Sequence, residues 1–163
     1  MIQKQTIEKI RQDVASCSDE ALEREFDQFF SKQSEVCDFV MDVTSSSSQK
    51  VRELSLYLSY VTYKTLSGDL NLDEPIASEI IVRAGRESQE WIQKVGEMDA
   101  EQFSAASASE VGSEPYLLGF VVTEVQDAIE DGLELNEEEK GTVFFVLKTV
   151  IAAMTGCARR VNT

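Results

Sequence analysis

Apolar residues recur at three- and four-residue spacing along almost the whole chain, the signature of helices that bury one stripe. Ile7, Ile10 and Val14 predict a first helix over about 2–15, and Leu22, Phe26, Phe29 and Phe30 a second that starts near Ser18 or Asp19. Val36, Phe39, Val40 and Val43 predict a third over about 33–43, stopped by Thr44 and the serines that follow it. The last of those serines suit the cap of a fourth helix, about 49–66, because a serine hydroxyl can accept from a first-turn amide. Pro75, a residue favoured in a first turn, predicts a long helix over about 75–95 with Ile76, Ile80, Ala84, Trp91 and Val95 on its inner face. A short helix is expected near 99–108, around Phe103. Another runs from Pro115 to Asp131, stopped by Gly132, a residue that tolerates a left-handed turn. The last begins with the capping box Asn136-Glu-Glu-Glu139 and is expected to end at Thr155, with Gly156 closing it. No segment alternates strictly enough to demand a strand, so the predicted class is all-α with roughly eight helices.

The same pattern repeats at longer range. Gln33-Ser-Glu-Val-Cys-Asp-Phe-Val40 returns as Glu114-Pro-Tyr-Leu-Leu-Gly-Phe-Val121, a shift of 81 positions. That shift also carries Ile10 to Trp91, Val14 to Val95 and Leu22 to Phe103. It grows to 89 in the last helix, where Leu54 meets Val143, Leu58 meets Leu147 and Val61 meets Val150. The expectation is a single domain over 1–163 built from two four-helix units, one over about 2–66 and one over about 75–155. They would form a pseudo-two-fold bundle or a short helical-repeat stack. The fourth helix of each unit is apolar on more than one side, which places it centrally.

Charge narrows the function classes. With 30 acidic and 15 basic residues the formal net charge is −15, which repels nucleic-acid backbones and anionic membrane surfaces. Neither nucleic acid nor membrane is an expected partner. The three cysteines, Cys17, Cys37 and Cys157, lack CxxC spacing and are read as reduced thiols, Cys37 and Cys157 as small core residues. The charged, amphipathic start has no apolar signal-peptide stretch, and no run reaches a membrane span, so the chain is read as cytoplasmic.

Catalytic chemistry is harder to find. The chain contains no histidine, which removes the commonest general base and the triads built on it, and no glycine-rich phosphate loop is present. Carboxylates three residues apart on a helix, such as Glu87 with Glu90 and Glu124 with Asp127, are the weak candidates for a magnesium site. Such a site would make the chain a helical nucleotide pyrophosphohydrolase. The favoured reading is a protein-interaction or adaptor module with a protein partner or a second copy of itself, and no cofactor. Tyr57, Tyr60, Tyr63 and Trp91 are the candidate interaction patch.

Overall fold

Helix ends and helix faces both follow from local chemistry. The computed structural model describes residues 2–96 and 115–161, and among them the chain forms seven helices and no strand. These are α1 (Lys4–Ser16), α2 (Asp19–Lys32), α3 (Ser34–Val43), α4 (Gln49–Ser67), α5 (Ser78–Gly96), α6 (Pro115–Glu130) and α7 (Glu137–Val161). The helix expected near 99–108 lies outside the described residues, as do the side chains of Cys157, Arg159 and Arg160.

Ser18 and Ser48 cap α2 and α4 by accepting from the amides of Ala21 and Val51. Asn136 and Glu139 form the reciprocal capping box of α7, with the Glu139 amide 2.8 Å from Asn136 Oδ1 and the Asn136 amide 3.2 Å from Glu139 Oε1. Gly132 sits at φ +105°, and the Leu133 amide reaches back to the Ala128 carbonyl at 2.9 Å, so α6 ends in a Schellman turn.

Two boundaries differ from the sequence pattern. Pro75 precedes α5 instead of opening it, because the chain from Leu72 to Ile76 is held in a non-helical path by Gln33. Ile76 is fully buried from that connection. Gly156 does not close α7, which continues to Val161; a glycine stops a helix only when it adopts positive φ, and among the described glycines Gly132 alone does.

α4 and α7 pack against each other at the centre. α4 also carries α1, α2 and α3, while α7 carries α3, α5 and α6; α1 lies on α6, α3 on α5 and α2 on α3. One continuous cluster of buried side chains draws on all seven helices. Small residues allow the central approaches. Ser55, Ser59, Thr62 and Thr65 are buried along α4, and the two threonines satisfy their hydroxyls on the Leu58 and Val61 carbonyls of their own helix. On α5 Gly85 faces α7, where Thr149 Cγ2 would lie at an ordinary contact distance of 3.8 Å from an added Cβ. No helix among the described residues is long and apolar enough to cross a membrane.

Candidate functional site

Two clefts bring chemistry-bearing side chains together. The first is a groove of about 310 Å³ between α1 and α6. Ile7, Tyr116 and Phe120 supply its apolar lining, Gly119 leaves a gap between them, and Lys4, Glu8, Arg11, Glu124 and Asp127 stand around it. A Cβ added at Gly119 would meet nothing within 4 Å, so the gap is open space. Tyr116 is 43% exposed, unusually wet for a large aromatic on a helix.

An ion pair crosses the groove. Arg11 Nε lies 2.6 Å from Glu124 Oε1, and Arg11 Nη1 lies 3.2 Å from Glu8 Oε1. Attraction to Glu124 raises the Arg11 pKa, keeping the guanidinium charged. Burial of the Glu124 carboxyl outweighs what Arg11 returns, so its pKa is raised as well. Tyr57 belongs to the same neighbourhood: its pKa is raised by burial first and by the Glu124 charge second.

The second cleft, about 420 Å³, opens between α2, α4 and the connection that follows α4. The Tyr60 hydroxyl donates to Glu25 Oε2, and Lys64 Nζ donates to both Glu25 oxygens at 3.1 and 3.2 Å. The Tyr60 hydroxyl and Lys64 hold the Glu25 carboxyl below its ordinary pKa, while burial and then Glu25 push the Tyr60 phenol up. Tyr60 is thus a fixed donor and Glu25 a fixed acceptor. Across the cleft Lys32 Nζ donates to Asp73 Oδ1 at 3.1 Å. The far wall owes its position to Gln33, which is fully buried. Its Nε2 donates to the carbonyls of Leu72 at 2.7 Å and Glu74 at 2.9 Å, and its Oε1 accepts from the Ile76 amide at 3.0 Å.

The four aromatic candidates do not form one patch. Tyr60, 2% exposed, stacks on Phe26 at 4.5 Å, and Tyr63 tilts over Phe29 at 5.0 Å, so both belong to the α2–α4 contact. Trp91 is on a different interface, 6.0 Å from Phe144 of α7 and under the Lys148 ammonium. Of the carboxylate pairs, Glu124 and Asp127 stand at the α1–α6 groove with Glu124 engaged by Arg11. Glu87 and Glu90 line a shallow surface depression with Lys94 and Lys148, two cations. Among the described residues no three His, Cys, Asp or Glu side chains converge as a metal-ligand set. Local spacing does not mark Gln33, Glu25 or Lys64, because their partners are distant in sequence.

No family model matches the chain, and neither a characterised protein nor a solved structure shows significant similarity to it. The functional reading therefore rests on the geometry of the two clefts.

Proposed function

We propose that this protein is an interaction module whose docking site is the α1–α6 groove, and that its partner inserts an apolar side chain flanked by basic residues. The observation that carries this reading is the open gap at Gly119, framed by Ile7, Tyr116 and Phe120 and ringed by charge. Pockets of this kind take the anchoring side chain of a partner, and the charges around them set register. The partner's sign follows from the net charge of −15, which steers basic surfaces inward and opposes docking of a second, equally acidic copy. The pyrophosphohydrolase reading has less support, since Glu124 is already spent on Arg11.

Gly119→Leu tests the proposal without threatening the fold, because Gly119 is exposed, a Cβ added there meets nothing within 4 Å, and leucine is the better helix former. A fluorescent peptide of alternating leucine and lysine should bind saturably to the parent in an anisotropy titration. Binding should weaken by about tenfold or more in Gly119→Leu, the effect of losing one well-seated anchor. Equal affinity for both proteins would sink the proposal, and so would a concentration-dependent dimer in sedimentation that Gly119→Leu disrupts.

The duplicated architecture belongs to the same reading. Exchanging α1 with α5, α3 with α6 and α4 with α7 turns the α1–α4 contact into α5–α7, α3–α4 into α6–α7, and α1–α6 into α5–α3. Residues 35–43 and 116–124 also agree position by position in burial, including exposed Met41 opposite exposed Val122. Against this, the α3–α7 contact has no counterpart of similar extent between α6 and α4. On this account the α1–α6 groove is the diverged twin of the α3–α5 contact. There the position of Gly119 is Asp38 and that of Arg11 is Ile92, so only one copy has the open gap and the crossing ion pair.

A further inference from the structure

The second cleft is electrically unlike its surroundings. Lys32 and Lys64 balance Glu25 and Asp73, so these four charges sum to zero in a molecule whose net charge is −15. A simple anion approaching it is opposed by the whole-molecule field, and a simple cation, though that field attracts it, meets as many fixed cations as anions in the cleft. A ligand carrying both charges can satisfy an acidic and a basic side chain of the cleft at once.

Hydrogen-bonding capacity remains for such a ligand. Among the described residues Glu25 Oε2 accepts from Tyr60 and Lys64, whereas Oε1 accepts from Lys64 only; a carboxylate oxygen has room for two donors. Lys32 gives one of its three protons to Asp73. That pair is readily opened, because Lys32 is 44% and Asp73 76% exposed and exposed pairs contribute little. Glu25 and Lys32 are seven residues apart on α2, hence on one face and about 10 Å apart along the axis at about 1.5 Å per residue. A peptide of three residues spans about the same distance at 3.3–3.6 Å each. The half-buried Tyr63 of α4 also lines the cleft, offering an aromatic surface to an extended backbone.

We infer that this cleft binds a short free peptide of about three residues, its ammonium group on Glu25 and its carboxylate on Lys32. Tyr60 and Lys64 are positioning residues: they hold Glu25 in place and do not contact the ligand's reacting groups, since no reaction is implied. The site is separate from the α1–α6 groove, so the two proposals can fail independently.

Isothermal titration with trialanine, its N-acetyl and C-amide forms, and free alanine tests the inference. Trialanine should bind with a Kd of about 1 mM or tighter. Either blocked form, and free alanine with its closely spaced charges, should bind about tenfold more weakly or not at all. Lys32→Ala and Glu25→Gln should each lose about tenfold, with thermal melts checking that both remain folded, while Gly119→Leu should bind like the parent. No heat from trialanine at about 10 mM would overturn the inference. Equal binding of the blocked forms, of alanine, or of Lys32→Ala would overturn it too.

Discussion

Gln33 is fully buried and ties two helices to the connection that follows α4. It ends α2, precedes α3 and fixes the connection into α5 by bonding two carbonyls and one amide. Backbone groups buried without partners cost about 1–3 kcal/mol each, so removing the amide strands two of them, the Leu72 carbonyl and the Ile76 amide, along with the part-buried Glu74 carbonyl. Gln33→Leu is therefore expected to destabilise the protein by about 3 kcal/mol or more in urea unfolding. Gln33→Glu should be nearly as damaging, because a carboxylate cannot donate to the Leu72 and Glu74 carbonyls. A loss under about 1 kcal/mol would mean the connection finds other partners. None of this is legible in the sequence. Gln33 heads the repeated octet, yet what it does depends on residues about forty positions away, and local periodicity says nothing about such partners. Glu25 and Lys64 escape for the same reason, being 39 positions apart.

Helices were far more readable than side-chain roles, because caps and stripes are written within a few residues. The Asn136 box, the Ser18 and Ser48 caps and the Gly132 stop lie where the sequence puts them. Pro75 and Gly156 mislead for a shared reason: each residue permits a helix boundary without requiring one, and tertiary contacts or helix continuation decide. The two glycines therefore respond oppositely to alanine. Gly156 is helical with nothing within 4 Å of an added Cβ, so Gly156→Ala should stabilise by about 0.5–1 kcal/mol. Gly132 holds φ +105°, where alanine is strained, so Gly132→Ala should destabilise by about 1 kcal/mol or more. Thermal melts of the two variants should move in opposite directions. A common direction would contradict either the left-handed stop or the uninterrupted α7.

At the scale of the whole molecule, the dominant fact is charge, and the two clefts respond to pH with opposite signs. Glu25 has a folded-state pKa below its unfolded value, so its stabilisation is present above the unfolded pKa and is lost as pH falls through the folded one. Glu124 has a raised folded-state pKa, so its ionised form opposes folding at neutral pH, and that penalty is relieved as pH falls through the folded pKa. Superimposed on both is the repulsion of a net −15 chain, which acid relieves by discharging carboxylates down to the isoelectric point near 4.3, below which the 15 basic residues repel one another instead. High salt separates the local effects from the global one, because at about 1 M the Debye length is about 3 Å and exposed charges no longer sense one another. Under those conditions Glu25→Gln should be less stable than the parent at neutral pH, and the difference should shrink as acid protonates the parent's Glu25. Glu124→Gln keeps an oxygen for Arg11 while removing the buried charge, so it should gain on the parent at neutral pH and lose that advantage in acid. The measurement is urea unfolding of the three proteins across the acid range. Parallel curves would mean that neither carboxyl titrates differently in the folded state, and the account of both clefts as charge-organised sites would fail with them.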